Sequence, residues 1–164
     1  MPNWIEGTLK LRGNSEDLKL FFWEGLEPSY SSSDFDDKQR DISEFVEYDF
    51  GKLGENDVLI RNQPHIIGTN RAFILDCNVY WGIQNAIICM PIKQAWSFTA
   101  DDDSRLHEWE RISKRFNLDI RLYGFERGAR FCEEVEIIKG KTTIYKIIEY
   151  NNWDWECPMP LMGG

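Results

Sequence analysis

The sequence predicts one α+β domain with a largely antiparallel sheet. Its 164 residues suit a single domain, and 42% of them are apolar, so the chain can form a core without a metal or a disulfide. Segments with apolar residues at every second position alternate with two segments that have apolar residues at helical spacing. Their order places two helices beside one sheet, and the ferredoxin-like arrangement is the simplest fold with this order.

The first strand and the first helix are predicted near the start of the chain. Residues 3–12 alternate apolar and polar side chains, as a half-buried strand does. Asn14 or Ser15 can cap the helix that follows, and Gly25 and Pro28 end it. The apolar face of this helix consists of residues at helical spacing: Leu18, Phe21, Phe22 and Leu26.

The middle of the domain is predicted to contain short strands and a second helix. The strands cover residues 58–60, 72–75 and 86–92. Pro91 indicates that the last of them ends there or lies at a sheet edge, because proline cannot donate to a strand ladder. The second helix runs from about residue 104 to residue 116, and its apolar stripe consists of Leu106, Trp109, Ile112 and Phe116.

Three strands are predicted to close the domain, which spans residues 1–150. They contain the alternating segments 118–123, 129–137 and 144–150. A tight turn at Lys139-Gly140-Lys141 joins the last two strands into a hairpin. Residues 151–164 are an aromatic and proline-rich tail for which no regular structure is predicted.

Four short motifs are spread along the chain in a fixed order. Met1-Pro2-Asn3-Trp4, followed by Gly7-Thr8-Leu9 and Gly13, comes first; the others are Asn78…Trp81-Gly82, Ala95-Trp96-Ser97 and Tyr123-x-x-Glu126-x-Gly128-x-x-Phe131. In these motifs the chain resembles the YubB-like proteins of phages and plasmids. The resemblance implies a ferredoxin-like domain and a mobile-element origin, but no activity, because the family has no catalytic residues to carry over. The chain departs from the family at Phe98-Thr99-Ala100-Asp101, where prolines are usual, and residues 29–57 match no family motif.

The negative charge is concentrated in one segment. The chain has 28 Asp and Glu against 19 Lys and Arg, a formal net charge of -9, and such a field repels nucleic acid. Residues 29–57 carry nine acidic and three basic residues, and we predict an acidic surface insertion after the first helix. The candidate partner-binding residues there are Asp34, Asp36, Asp37, Asp41, Glu44, Glu47 and Asp49.

The C-terminal tail supplies two further candidate partner-binding residues, Trp153 and Trp155. Exposed tryptophans near a chain end are typical of a binding segment or of an arm that packs on a second copy in a homodimer. A tail that folds back over its own sheet is the alternative, and the sequence leaves both open.

Several classes of site are not expected. The four cysteines form no CxxC pair and there are only two histidines, so the sequence predicts neither a metal site nor a cofactor. No signal peptide or membrane-spanning segment is recognisable, and we expect the protein in the cytoplasm of a host cell. Nucleotide-binding motifs are missing as well, so we expect a protein that is not an enzyme. A site built on Cys77, Cys89 or His65 remains as an alternative.

These observations lead to a hypothesis about function. The chain is predicted to be a phage or mobile-element protein that inhibits a host nucleic-acid-binding defence complex, as anti-CRISPR proteins do. Its carboxylates would meet the basic surface of a protein partner in the place of nucleic acid, which the chain itself would not bind. Two alternatives are a homo-oligomeric structural protein and a nucleic-acid-binding module whose sheet face carries Trp4, Trp81 and Trp96.

Overall fold

The computed structural model of the chain describes residues 3–27, 29, 46–49, 55–82, 86–98 and 104–164. Strand β1 (Trp4–Gly13) leads into helix α1 (Ser15–Glu24) and the short strand β2 (Leu26–Glu27). Six strands follow: β3 (Val46–Asp49), β4 (Glu55–Ile60), β5 (His65–Ile66), β6 (Ala72–Ile74), β7 (Cys77–Gly82) and β8 (Ala86–Ala95). The C-terminal part contains α2 (Ser104–Phe116), β9 (Asp119–Glu126), β10 (Phe131–Ile138), β11 (Lys141–Glu149) and α3 (Trp153–Glu156).

These strands form two antiparallel sheets. The main sheet has the order β11-β10-β9-β1-β8-β6-β5-β2, and the small sheet has the order β3-β4-β7. Helices α1 and α2 contact each other and lie against the main sheet, which confirms the predicted α+β class with a mostly antiparallel sheet. None of the described helices has the length and apolar character needed to cross a membrane.

The core lies between the main sheet and the two long helices. Ile5, Leu9 and Leu11 of β1 are fully buried on the helix-covered face, as their period of two predicts. The rings of Phe21 in α1 and Phe116 in α2 meet edge to face, with 5.5 Å between their centroids. We call the opposite face of the main sheet the open face. Its central residues are exposed: Thr8, Lys10, Arg12, Ile87, Cys89 and Arg121.

Two predictions about the ends of elements, the cap of α1 and the hairpin turn after β10, are confirmed. The side chain of Asn14 caps α1 by accepting a hydrogen bond from the Asp17 N–H at 2.8 Å. Lys139 and Gly140 both have positive φ, at 50° and 72°, which is the geometry of a two-residue hairpin turn between β10 and β11.

The prediction for Pro91 is wrong, because Pro91 lies in the middle of β8 between β1 and β6. Its carbonyl accepts from the Leu75 N–H at 3.0 Å, so its peptide groups face the β6 side of the strand. Strand β6 ends at Ile74, one residue before this contact, and the missing N–H of proline therefore interrupts the ladder only at its end.

Candidate functional site

The small sheet brings acidic positions of the predicted insertion together. In the pairing of β3 with β4, Asp49 lies directly opposite Asp57 and Glu47 lies opposite Leu59. Glu55 is two positions before Asp57 in β4 and therefore belongs to the same face of the sheet. We call this set of positions the acidic face: Glu47, Asp49, Glu55 and Asp57.

The other face of the small sheet joins the core. Val58 and Ile60 of β4 and Val79 of β7 are buried in the main hydrophobic cluster. They alternate along the strands with the acidic positions, so the acidic face is the one opposite the core. Tyr80 lies opposite Asp57 in the next strand, and 59% of its surface is exposed.

The register has an electrostatic consequence. Like charges directly opposite each other in adjacent strands destabilise a sheet, and Asp49 and Asp57 form such a pair of positions. An exposed tyrosine beside the pair offers contact area of the kind that is enriched in protein interfaces.

Most of the predicted insertion residues lie outside the described part of the chain: Asp34, Asp36, Asp37, Asp41 and Glu44. Glu47 and Asp49 lie in β3, where the backbone pairing defines their positions. Glu55, Asp57 and Tyr80 were missed as site residues. The first two are acids of the predicted insertion, but no sequence signal places Tyr80 next to them.

The tail folds back over the main sheet. Trp153 is only 2% exposed, and its indole N–H donates to the Pro160 carbonyl at 2.9 Å. The N–H of Gly164 donates to the Trp4 carbonyl at 2.8 Å, which fixes the chain end beside β1. Residues 153–156 form one helical turn, although no regular structure was predicted there.

Only one of the two predicted tail residues is available to a partner. Trp153 packs in a second hydrophobic cluster with Phe125, Cys132 and Cys157, so its prediction as a surface contact is corrected to a packing role. Trp155, two positions later, is 86% exposed. The tail thus covers its own sheet with one tryptophan and presents the other.

The residues of the alternative enzyme site are engaged within the fold. His65 contacts the Glu27 carboxylate through Nδ1 at 2.6 Å and the Thr69 carbonyl through Nε2 at 3.0 Å. Burial, followed by the charges of Asp76 and Cys89, raises the pKa of Cys77 to about 11, whereas a nucleophilic thiol needs a lowered pKa. No group of three or more His, Cys, Asp or Glu side chains that could hold a metal ion occurs in the described ranges.

The thiols are expected to differ in reactivity towards iodoacetamide. Burial raises the pKa of Cys132 to about 12, so this thiol stays protonated at pH 8, while Cys89 is exposed on the open face. Cys89 should be alkylated in the native protein and Cys132 only after unfolding, as peptide mass mapping would show. Equal labelling of both thiols in the native state would contradict the buried position of Cys132.

The same pKa shift makes stability depend on pH. The Cys132 thiol ionises near its ordinary pKa of 9.0 in the unfolded chain but only near 12 in the fold. Its contribution to stability is therefore fully present below pH 9 and is lost as the pH rises towards 12. The urea midpoint should accordingly fall between pH 8 and pH 11.

Two of the three aromatic residues of the nucleic-acid-binding alternative, Trp4 and Trp96, have described side chains. Trp4 is half-buried and meets Phe73 edge to face, with 6.0 Å between the centroids. Trp96 follows the end of β8 and is exposed, with a positive φ of 73°. The side chain of Trp81 lies outside the described part of the chain.

The two arginines of the open face are balanced by carboxylates. Arg12 pairs with Asp119 at 2.6 Å. Arg121 pairs with Glu134 and lies 3.9 Å from Glu136. A nucleic acid bound there would have to compete with these acids, so the open face is a poor electrostatic match for phosphates.

Comparison with known proteins finds no family model that matches the chain, and no curated protein or solved structure that matches it significantly.

Proposed function

We propose that this chain binds a protein partner through the acidic face and thereby blocks the nucleic-acid-binding surface of that partner. The observation that carries the proposal is the register that sets Asp49 opposite Asp57. Carboxylates at fixed spacing can occupy a basic channel in the place of phosphates, and complementary charge mainly speeds association and selects the partner. The partner is a host defence complex that holds nucleic acid in such a channel, as CRISPR effector complexes do.

We further propose that the fold is an extended ferredoxin-like domain. The segment β9-β1-β8-β6 of the main sheet, with α1 after β1 and α2 after β8, supports this assignment. Strands β10 and β11 extend the sheet on one side, and β5 and β2 extend it on the other. The 29–57 segment is then an insertion that supplies β3 and the start of β4.

Membership in the YubB-like family and a phage or plasmid origin are part of the proposal. The motif residues have structural contacts that support a shared fold. Gly7 and Gly124 are paired in the centre of the sheet, and the Glu126 carboxylate accepts hydrogen bonds from the N–H groups of Gly128 and Ala129. These contacts fix the backbone and leave the binding activity to the acidic face, which carries no family motif.

The proposed action is binding without catalysis, in the cytoplasm of the host cell. The proposed binding requires no cofactor. Carboxylates supply the electrostatic contact with a basic surface, and an exposed tyrosine supplies apolar contact area. Trp155 offers a second exposed aromatic contact, and the fully surrounded Trp153 does not.

A plaque assay tests the proposed function. The protein is expressed in bacterial strains that each carry one active CRISPR system and are challenged with a phage that this system targets. In one of the strains, plaque formation should rise by orders of magnitude towards the level of a strain without the targeting spacer. No change across strains that represent the different CRISPR types would refute inhibition of CRISPR interference.

Removing charge from the acidic face should abolish most of this protection. We expect the double variant Asp49→Asn and Asp57→Asn to bind the inhibited effector at least about tenfold more weakly, since close charge pairs across an interface contribute about 1.5 kcal/mol or more. Its affinity should also depend less on salt, because fewer ion pairs are screened. Binding is measured with the purified effector at several salt concentrations.

A matched control removes the same charge elsewhere. The double variant Glu16→Gln and Glu24→Gln also loses two exposed carboxylates, both in α1, and should bind like the unchanged protein. If both double variants lose affinity equally, net charge rather than the acidic face governs binding. The quadruple variant of Asp34, Asp36, Asp37 and Asp41 to Asn tests the remainder of the insertion in the same assay.

A gel shift separates this proposal from the nucleic-acid-binding alternative. The protein is mixed with single-stranded DNA and RNA at low salt, where phosphate contacts are strongest. We expect no shift, since both arginines of the open face are paired with carboxylates and the chain carries a net charge of -9. A shift that disappears in the Lys10→Glu variant would favour the open face as a nucleic-acid site.

A further inference from the structure

Two cysteines meet between the main sheet and the tail. Cys132 lies in β10 with Phe125 and Ile148 as its cross-strand neighbours. Cys157 directly follows α3, and its N–H donates to the Trp153 carbonyl at 3.1 Å. Both thiols are free and belong to the second hydrophobic cluster, in which Cys132 is fully buried and Cys157 is 5% exposed.

The two thiols are in direct contact. A hydrogen bond links the side chains of Cys132 and Cys157, and the Cys132 thiol also donates to the Tyr150 hydroxyl at 3.9 Å. Tyr150 is in turn hydrogen-bonded to Tyr123. A disulfide forms only where the fold brings two cysteine side chains close together, because its geometry is narrow. Contact between the two sulfur atoms meets this requirement.

The pair connects the tail to the sheet. The tail contacts the sheet through the apolar packing of Trp153 and through the bond from the Gly164 N–H to the Trp4 carbonyl at 2.8 Å. A chain end attached in this way opens locally at a lower free energy than the strand ladder beneath it. A covalent bond between the tail and β10 would prevent this opening.

We propose that Cys132 and Cys157 form an intramolecular disulfide when the protein meets a disulfide oxidant such as oxidised glutathione, and that this bond locks the tail onto the main sheet. The two residues are 25 positions apart, so the closed loop contains β11 and most of β10. In a reducing cytoplasm the pair stays as thiols, and the bond forms under oxidative conditions. The lock is independent of the acidic face, which belongs to the small sheet, so its failure would leave the proposed function intact.

The burial of the two thiols assigns their order of reaction. Cys157 has exposed surface, so its sulfur attacks the oxidant, forms a mixed disulfide and releases the first glutathione. The Cys132 sulfur then attacks the Cys157 sulfur, the mixed disulfide breaks and the second glutathione leaves. The two released glutathione thiolates take up the two protons that the cysteines lose, so the oxidant gains two electrons and two hydrogens. Burial raises the pKa of Cys132 to about 12, which makes the second step slow.

Oxidation of the purified full-length protein tests the pair. The reduced protein is incubated with oxidised glutathione, the remaining thiols are blocked with iodoacetamide in urea, and a tryptic digest is analysed without reduction. Cleavage after Lys139 and Lys146 separates the two cysteines, so the disulfide joins two peptides. We expect this joined pair of peptides as the main product of the two thiols, and dithiothreitol should separate it.

Variants test the order of reaction. In the double variant Cys77→Ala and Cys89→Ala only the proposed pair remains, and the intact mass should fall by two hydrogens with no glutathione attached. Adding Cys132→Ala should leave Cys157 joined to one glutathione, because no second thiol resolves the mixed disulfide. Adding Cys157→Ala instead should leave the buried Cys132 free. Circular dichroism melting verifies that each variant is folded.

Hydrogen exchange and urea unfolding test the lock. The N–H groups of Glu156 and Cys157 donate to carbonyls within the tail, and they exchange when the tail opens. They should exchange at least about tenfold more slowly in the oxidised double variant than in the same protein after reduction. The urea midpoint should rise by about 1 M or more, since the bond restricts the unfolded chain.

Refolding removes slow access to the buried thiols as an explanation of a negative result. All thiols are exposed in urea, so refolding in a glutathione redox buffer lets the fold select the pairing. The proposal is overturned if the refolded protein keeps Cys132 and Cys157 as thiols or joins them to Cys77 or Cys89. It is also overturned if the tail amides exchange equally fast with and without the bond.

Discussion

Replacing Trp153 with alanine is expected to destabilise the protein by about 3–5 kcal/mol, the range for a buried large aromatic side chain. The indole fills the second hydrophobic cluster beneath the tail, and its N–H satisfies the Pro160 carbonyl. Removal leaves a cavity lined by Phe125 and Tyr150 and releases the chain end from β1. Urea unfolding followed by tryptophan fluorescence would measure the loss, and hydrogen exchange at Gly164 would report the release of the tail.

The matched control lies two positions along the same helical turn. Trp155 is 86% exposed, so Trp155→Ala should change stability by no more than about 0.5 kcal/mol. Similar losses in the two variants would show that the tail does not dock through Trp153. If Trp155→Ala weakens binding to the partner without loss of stability, the tail belongs to the proposed interface.

Local sequence patterns were sufficient for most of the longer elements. The period of two in β1 and the Asn14 cap of α1 are properties of a few neighbouring residues. The hairpin of β10 and β11 was predictable because Lys139-Gly140 can adopt positive φ at the turn. Such signals require no knowledge of what the element packs against.

Elements that depend on distant partners were not predicted. The two-residue strands β2 and β5 exist because Leu26 pairs with Ile66, a contact between residues far apart in sequence. Strand β7 was not among the predicted strands, and its pairing with β4 places Tyr80 and Trp81 in a strand. Neither the central place of Pro91 in β8 nor the burial of Trp153 has a local signal.

The candidate site was predictable in composition but not in geometry. The composition of residues 29–57, with nine acidic residues, is sufficient to predict an anionic surface. The register of β3 against β4 decides which of them face each other, and a slip of one residue would exchange the acidic positions with Tyr48 and Val46. The burial of Val58 and Ile60 selects the observed register, and this burial is a property of the whole fold.

Replacing Gly7 with alanine should destabilise the protein by about 3 kcal/mol or more, at the upper end for an overpacked core. A Cβ at Gly7 would lie 2.0 Å from the Tyr123 carbonyl oxygen and 2.5 Å from the Gly124 Cα. Both are backbone atoms of β9, so relief requires β1 and β9 to separate in the centre of the main sheet. The neighbouring variant Thr8→Ala is the control, because Thr8 is exposed on the open face, and it should cost no more than about 1 kcal/mol.

A second glycine gives a graded comparison if the Gly7 variant is too unstable to purify. A Cβ at Gly124 would approach side chains instead of backbone, with the Phe98 ring at 2.7 Å and Ile5 at 2.8 Å. Side chains can shift by rotation, so Gly124→Ala should cost less than Gly7→Ala, within about 1–3 kcal/mol. The urea midpoints of the two variants rank their loss of stability. If one variant does not fold, the soluble yields of the two are compared instead. The reverse order would mean that β1 and β9 do not approach each other as closely at Gly7 as their pairing requires.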